Sequence, residues 1–348
     1  MIGHIAYADG SPCPTLVLDA RDLPREEGPL LAALTETRRF LEAGGAGHVL
    51  KIALVEPSRH PLFDLDYRFV QALPAGLDRF DLLGSCGHSI LSSITSMSRT
   101  GLISRLGPGV RHRVNVLNNG DHLVCEVDEM NRGQVEFTVH FVRNPPTPVG
   151  RLLLDGRPRT TLTVDGRPVE VSLVSAGNPY VFVDAAGAGV STRDELFADD
   201  PALMARLLRI REAASAHLGW PPESVFPKVA VVMPDEPESV AARAISVPSW
   251  HPTLALTGAA CLGAATGIEG TVPWLAARDA GCVDGRVGIR TPGGTSSITA
   301  ATMFRDGDRE LAWISVSQKV VTYHGSFFIE PLARFQLKEI GECLSLPA

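Results

Sequence analysis

The sequence lacks the features that direct a protein to a membrane, an export route or a nucleic acid. No run approaches the roughly 20 apolar residues that a membrane helix needs, and residues 1–18 lack the basic start and unbroken apolar stretch of a signal peptide. The net charge is -7 and the basic residues are scattered, so no patch suited to a nucleic-acid backbone is expected. These absences predict a cytoplasmic protein without membrane or nucleic-acid contacts.

Cofactor and metal signatures are also missing. The six cysteines form no Cys-x-x-Cys pair and are too sparse for a disulfide scaffold, which predicts free thiols in a reducing compartment. The ten histidines show no metal-ligand spacing, and no Gly-x-Gly-x-x-Gly or Walker loop follows a strand pattern. We therefore expect neither a metal nor a nucleotide cofactor.

What the sequence has in quantity is glycine and proline, 33 and 26 in 348 residues, which indicates many turns and hence many strands. A chain of this length is typical of two domains. Apolar periodicity predicts helices at 29–43, 90–101 and 201–219, with strands over most of the remaining chain. Hairpin turns are expected at Asn119-Gly120, Asp155-Gly156, Asp165-Gly166, Pro292-Gly293-Gly294 and Asp306-Gly307. The fold class is therefore α+β, with mainly antiparallel sheet.

The most informative segment is Gly84-Ser85-Cys86-Gly87-His88-Ser89, which stands where a strand pattern gives way to a helix pattern. Flanking glycines let backbone amides approach a ligand, and amides at a helix start attract anions. The same layout returns as Thr257-Gly258-Ala259-Ala260-Cys261. The chain is thus predicted to hold two related halves, residues 1–168 and 169–348, with a ligand in the cleft between them.

Two side chains are candidates for proton chemistry. Cys86 is predicted to be a reactive thiol, because a helix start lowers the pKa of a thiol at this position. The alternative is a structural cysteine that only packs after a tight turn. Lys51 lies in the apolar strand 49–55, where it either points outward or lines the cleft. A lysine held in a cleft is desolvated, which lowers its pKa from about 10.4. Two such groups on opposite faces of a carbon suffice for a cofactor-independent isomerase.

Other motifs allow more than one interpretation. His88 follows Cys86 by two residues and would suit a Cys-His hydrolase, but residues two apart on a helix do not face each other well. A polar contact to the ligand or a position on the helix surface is the better prediction for this histidine. The turn at Gly293 and Gly294 either holds a carboxylate or is a plain hairpin.

At these residues the chain resembles the diaminopimelate epimerase-like superfamily, and within it the branch of 2-methylaconitate cis-trans isomerase, methylitaconate isomerase and 4-oxalomesaconate tautomerase. The resemblance extends from about residue 2 to residue 322. It rests on five segments in the family's order: Leu50-Lys51-Ile52-Ala53-Leu54-Val55, Gly84-Ser85-Cys86-Gly87, Ala176-Gly177-Asn178-Pro179, Pro227-Lys228-Val229-Ala230 and Leu256-Thr257-Gly258-Ala259.

The resemblance implies two similar halves, each a curved sheet around a central helix. It also implies that the lysine and cysteine handle protons and that the glycine loops bind substrate carboxylates. The second catalytic cysteine of related epimerases would fall at Ala255, which disfavours a two-thiol racemase. The branch's N-terminal Arg-Gly-Gly-Thr-Ser-Lys-Gly is replaced by Tyr7-Ala8-Asp9-Gly10-Ser11-Pro12-Cys13-Pro14, without arginine or lysine.

The prediction is therefore a cofactor-independent isomerase or tautomerase of a small unsaturated di- or tricarboxylate, similar to aconitate or methylaconitate. Its acid/base pair is Lys51 and Cys86. A Cys86-dependent hydrolase or acyl transferase, and a non-catalytic carboxylate-binding relative, are the alternatives. No metal is expected. The sequence leaves the oligomeric state open, with a homodimer among the alternatives. The predicted substrate-binding residues are Ser11, Ser85, Gly87, His88, Thr257, Gly258, Gly293 and Gly294.

Overall fold

A computed structural model describes residues 1–221, 224, 226–246, 249–283 and 285–335. Of the six cysteines, Cys343 lies outside the described residues, and the other five are free thiols. No helix within the described ranges is long and apolar enough to cross a membrane.

The described residues form seventeen strands and seven α-helices. The strands are β1 (Ile2–Ala8), β2 (Thr15–Asp19), β3 (Lys51–Pro57), β4 (Leu65–Ala72), β5 (Phe80–Asp81), β6 (Arg111–Val116), β7 (His122–Asn131), β8 (Gln134–Pro148), β9 (Thr160–Val164), β10 (Arg167–Ser175), β11 (Pro179–Asp184), β12 (Lys228–Pro234), β13 (Ser239–Ser246), β14 (Ser249–Trp250), β15 (Arg286–Thr291), β16 (Gly294–Arg305) and β17 (Asp308–Phe328). The helices are α1 (Glu27–Ala43), α2 (Gly87–Thr100), α3 (Ala185–Ala188), α4 (Arg193–Phe197), α5 (Pro201–His217), α6 (Leu256–Thr266) and α7 (Val272–Asp279).

The strand pairings occur twice in the same order. In the first half β1–β2 is antiparallel, β2–β3 parallel, β3–β4 antiparallel, β4–β6 parallel, and β6–β7 and β7–β8 antiparallel. The second half repeats this series with β10–β11, β11–β12, β12–β13, β13–β15, β15–β16 and β16–β17. The predicted α+β fold of two pseudo-symmetric halves is confirmed.

The halves are joined through long strands. β17 pairs with β8 and also with β1, so the last strand of the second half completes the sheet of the first. β10 opens the second series of pairings and follows the tight turn at Asp165-Gly166. The division into residues 1–168 and 169–348 stays a prediction.

Each half has a helix inside its sheet and a helix outside it. The inner helices α2 and α6 share one core with strands of both halves. Ile90, Leu91, Ile94 and Met97, the predicted apolar stripe of α2, are at most 1% exposed. α6 is apolar on every side, as expected for a helix surrounded by other elements. The outer helices α1 and α5 cover the opposite sheet faces with separate cores.

One predicted hairpin is wrong. Between β8 and β9 the chain forms a 3₁₀ helix, Val149–Leu152, before the turn that contains Asp155 and Gly156. The Asp155 carboxylate accepts hydrogen bonds from the backbone of Arg157 and the hydroxyl of Thr160, so it stabilises a connection rather than a two-strand turn. The hairpins at Asn119-Gly120, Asp165-Gly166 and Asp306-Gly307 are confirmed by the strands that they connect.

Candidate active site

Cys86 is the N-cap residue of α2, and Gly87 is the first residue of that helix. A side chain at Gly87 would bring its Cβ to 2.5 Å from Cβ of Leu256, the first residue of α6. Glycine is therefore required here because the starts of the two inner helices almost touch. The hydroxyl of Tyr67 donates to the Cys86 carbonyl at 3.1 Å and so holds the backbone of Cys86 in place.

Lys51 begins β3 and points inward, so the surface-lysine alternative is wrong. Its side chain is 6% exposed, and Nζ donates to the hydroxyl of Ser11 at 2.8 Å. Ser11 in turn donates to the carbonyl of Cys13 at 2.8 Å. The segment between β1 and β2 therefore covers the lysine, and Ser11 is the residue that contacts it.

Lys51 and Cys86 are electrostatic partners. Burial raises the pKa of the Cys86 thiol, but the Lys51 ammonium and hydrogen bonds from Ser89 outweigh burial and hold it below its ordinary value. The Ser89 hydroxyl is itself fixed by a 2.9 Å hydrogen bond with Thr15. Because the thiolate is the reactive form, this environment favours a base or nucleophile over an inert thiol.

The second glycine loop lies beside the first. Asn178 donates from Nδ2 to the Ser85 carbonyl at 3.1 Å and to the Thr257 hydroxyl at 3.0 Å. The Ser85 amide donates back to Oδ1 of Asn178 at 3.4 Å. Gly258 lies so close to the ring of Tyr180 that no side chain fits there. The structure thus brings Ser85, Gly87, Thr257 and Gly258 together. Close packing against Leu256 and Tyr180 explains why Gly87 and Gly258 have no side chain.

The two inner helices are not equivalent in chemistry. Ala255 is the N-cap residue of α6, the position that Cys86 occupies in α2. Cys261 lies inside α6, where burial raises its pKa to about 12 and its thiol donates to the carbonyl of Val174. The described residues therefore place one reactive thiol at this pair of helix starts.

His88 is fully buried and stacks against His251 with ring centroids 5.9 Å apart. Neither ring nitrogen of His88 has a hydrogen-bond partner among the described residues, and this includes the Cys86 thiol. Burial and the charge of Lys51 lower the pKa of both rings well below 6.5, so both are neutral at pH 7. An unpartnered buried ring of this kind is able to accept or donate one hydrogen bond to a ligand.

Pro292 and Gly293 form the exposed hairpin turn between β15 and β16, and Gly294 is the first residue of β16. The Gly293 amide donates to the carbonyl of Pro252 at 2.8 Å. The neighbouring Thr253 donates to the Gly10 carbonyl at 3.0 Å, which connects this turn to the segment carrying Ser11. Their role in substrate binding stays a prediction.

Two further lysines face this region, and the motif analysis missed them as site residues. The parallel pairs Thr15–Lys51 and Tyr180–Lys228 occupy equivalent registers, so Lys228 is the counterpart of Lys51 in the second half. Lys319 on β17 is 5% exposed. The charges of Lys51, Lys228 and Lys319 all act on His251.

The scarcity of lysine in the sequence is the feature that distinguishes Lys228 and Lys319 as candidate site residues. The sequence has four lysines against 28 arginines. Lys338 lies outside the described residues, and the charges of the other three all lower the pKa of His251. The exposed ion pairs, by contrast, use arginine.

Other parts of the described chain carry no comparable chemistry. A groove of about 820 Å³ lies on the second half, between residues of β10, β11, β12 and α7, and none of the predicted site residues lines it. No group of three or more His, Cys, Asp or Glu side chains suited to a metal ion occurs in the described ranges.

Residues 41–325 match the family described as PrpF protein. The chain belongs to the PrpF family. It is 27% identical over 305 residues to the putative isomerase YbhH of Escherichia coli strain K12, covering 80% of this chain and 85% of that protein. It is 24% identical to the 3-methylitaconate isomerase of Eubacterium barkeri, with 78% and 80% covered, and 26% identical to the 4-oxalomesaconate tautomerase of Pseudomonas putida, with 79% and 81% covered.

Solved structures agree with this assignment at the level of the fold. A methylitaconate-delta-isomerase superposes with a TM-score of 0.67 at 22% identity, covering 95% of this chain and 97% of the other. A probable proline racemase from Agrobacterium radiobacter superposes with a TM-score of 0.62 at 15% identity, covering 94% and 92%. The predicted family resemblance is confirmed, and with it the prediction that this PrpF-family chain is an isomerase.

Proposed function

We propose that the chain is a cofactor-independent isomerase or tautomerase of a small unsaturated di- or tricarboxylate similar to aconitate or methylaconitate. The named relatives that act on methylitaconate and oxalomesaconate support this substrate class. Action in the cytoplasm, as a homodimer, belongs to the same proposal.

The observation that carries the proposal is the buried pair of Lys51 and Cys86. Both side chains are at most 9% exposed, and the lysine charge favours the thiolate. A thiolate beside an ammonium provides one base and one acid, which is what a proton shift requires. Shielding from bulk water strengthens the interaction of both groups with an anionic intermediate.

In the proposed reaction the Cys86 thiolate removes a proton from a carbon next to a carboxylate. The electrons of that C–H bond delocalise into the adjacent unsaturated system and give an enolate-like anion. The Lys51 ammonium then donates a proton to another carbon of the same system, which relocates the double bond. Proton transfer from the Cys86 thiol to the Lys51 amine restores the starting pair, so the cycle consumes no co-reactant.

The substrate carboxylates are proposed to bind where amides, hydroxyls and cations converge. His88 supports this proposal because its buried ring nitrogens have no partner among the described residues, and leaving such groups unpaired costs about 1–3 kcal/mol. Preorganised amides at a helix start stabilise developing negative charge. The proposed binding residues are Ser11, Ser85, Gly87, His88, Thr257, Gly258, Gly293 and Gly294.

Deuterium exchange tests the proposal. The protein is incubated in heavy water with aconitate and methylaconitate isomers, and ¹H NMR follows the loss of the exchangeable carbon-bound proton. We expect Cys86→Ala and Lys51→Met each to slow exchange by about 10²–10⁴-fold, the usual contribution of a positioned acid or base.

The control variant is Cys282→Ser, which removes a partly buried thiol outside the site and leaves exchange at the wild-type rate. Exchange that continues undiminished in both Cys86→Ala and Lys51→Met overturns the proposal. A covalent adduct of substrate on Cys86, detected by mass spectrometry, would instead favour the hydrolase or acyl-transferase alternative.

A further inference from the structure

Lys319 lies at a β-bulge in β17. The strand pairs with β16 as far as Val316 and with β1 from Val321 onward, and its register to β8 shifts between Val316 and Lys319. Gln318 has a φ of 62°, a left-handed conformation that only a local bulge tolerates in a strand. The bulge turns Lys319 inward at the point where the sheet passes from one half to the other.

The inward ammonium is desolvated by burial. Lys319 is 5% exposed, and within the part of the chain that the structure describes burial alone shifts its pKa, with no contribution from a carboxylate or a hydrogen bond. Buried lysines without a partner are rare, because desolvating a charge is costly. Burial lowers the pKa of Lys319 to about 8, so the side chain is still mainly charged at pH 7.

The surroundings of Lys319 identify where that charge acts. It contributes to the lowered pKa of both His88 and His251, so it lies within electrostatic reach of the stacked rings. The carbonyl of the next residue, Val320, accepts a hydrogen bond from the Asp9 amide at 2.9 Å. The segment from Tyr7 to Pro14 has no cation, so Lys319 supplies a positive charge beside it.

We propose that Lys319 is a specificity-determining residue that binds a substrate carboxylate remote from the reacting carbon. The ligand has at least one carboxylate more than the proton transfer needs, and in its absence no carboxylate of the described residues contributes to the pKa of the Lys319 ammonium. This inference rests on the proposed function for the class of substrate. Lys319 orients that substrate and takes no part in the proton transfer between Lys51 and Cys86.

Binding of a saturated acid tests this inference without any reaction. Propane-1,2,3-tricarboxylate has no double bond to move, and butyrate is its analogue that keeps a single carboxylate. Isothermal titration calorimetry measures the affinity of each ligand for the wild type, for Lys319→Met and for Arg99→Met. Arg99→Met removes an exposed cation that stacks on Tyr323 outside the site and controls for the change in net charge.

We expect Lys319→Met to weaken tricarboxylate binding by about 10–100-fold, the loss of one charge-assisted contact, and butyrate binding by less than about threefold. Arg99→Met should leave both affinities near the wild-type values. In the exchange assay, Lys319→Met should raise KM and leave kcat within about threefold. A melting temperature close to the wild-type value excludes loss of folding as the cause.

Unchanged tricarboxylate binding in Lys319→Met overturns the inference, and so does an equal loss for both ligands. The two proposals fail separately. If the wild type binds the tricarboxylate through Lys319 yet exchanges no proton with any acid, the proposed reaction falls and this binding site stands. If the wild type exchanges protons but Lys319→Met binds normally, the binding site falls alone.

Discussion

Asn178 and Ser85 are 93 residues apart in the sequence, and they hold each other by two hydrogen bonds. One runs from the Asn178 amide group to the Ser85 carbonyl and the other from the Ser85 amide to the Asn178 oxygen. The same side chain also donates to Thr257, so a single asparagine connects both glycine loops. The position of Cys86 therefore depends on a residue of the opposite half.

Replacing Asn178 by alanine should loosen both loops together. We expect the free energy of unfolding to fall by about 1–3 kcal/mol, since buried polar groups of Ser85 and Thr257 lose their partner. Proton exchange should slow at least tenfold, because Cys86 is no longer held in place. Urea denaturation and the exchange assay measure the two effects.

The control is Asn115→Ala, which removes a part-buried hydrogen bond to Asp66 on the sheet away from the site. It should cost about 0.5–1.5 kcal/mol and leave exchange unchanged. Wild-type exchange in Asn178→Ala would show that the bridge does not position the loops.

Gly87 should not tolerate a side chain. In Gly87→Ala the new Cβ lies 2.5 Å from the Leu256 Cβ, so the starts of α2 and α6 must separate. We expect a loss of about 1–3 kcal/mol in the free energy of unfolding, typical of overpacking in a core. Thermal and urea denaturation measure it.

Gly28→Ala is the matched substitution, because Gly28 lies in the first turn of α1 with no atom within 4 Å of the added Cβ. It should be neutral or stabilise the protein by up to about 1 kcal/mol, since alanine restricts the unfolded chain. Equal effects of the two substitutions would contradict the close contact of the inner helices.

The thiol of Cys86 should titrate below an ordinary cysteine. Although burial raises its pKa, Lys51 and Ser89 lower it further, so the thiolate persists at lower pH than in a free thiol. The pH dependence of iodoacetamide labelling, mapped to each cysteine by mass spectrometry, should give a lower midpoint for Cys86 in the folded protein than for the same thiol in the urea-unfolded chain.

Lys51→Met should shift that midpoint upward, because the effect of burial is then opposed only by the hydrogen bonds from Ser89. Cys261 provides the internal comparison, since burial raises its pKa to about 12 and it should remain unlabelled in the folded protein. A midpoint for Cys86 that is the same with and without Lys51 would contradict the assigned ion pair.

Acid should destabilise the protein through the stacked histidines. Burial lowers the pKa of His88 and His251 well below 6.5, so below about pH 6.5 the unfolded chain binds protons that the folded chain does not. Stability is then fully present above that pH and falls by up to about 1.4 kcal/mol per pH unit for each ring as the pH decreases.

His88→Leu should reduce this slope, measured by urea denaturation between pH 5 and about pH 8. The exposed His48 provides the control variant, His48→Leu, which should keep the wild-type slope. An unchanged slope in His88→Leu would mean that the ring is not held neutral in the folded protein.

Much of the fold follows from the sequence because its signals are local. The apolar stripe of α2, the glycines around Cys86 and the Asp-Gly turns each specify a backbone conformation within a few residues. The repeat of the glycine loop in the sequence is enough to predict two related halves without knowledge of the strand pairing. The hairpin predicted at Asp155-Gly156 was wrong because this signal is also local: a turn dipeptide does not specify whether two paired strands flank it directly.

The repeated glycine loop predicted the two halves and their inner helices, and residue type and spacing, together with the family resemblance, predicted Cys86 and Lys51 as the candidate pair. The inward direction of Lys51, the bridge that Asn178 makes between the two loops, and the effect of the Lys228 and Lys319 charges on His251 all required the tertiary structure. Burial and contact between distant segments depend on how strands pair across the whole chain, and no local pattern contains those pairings.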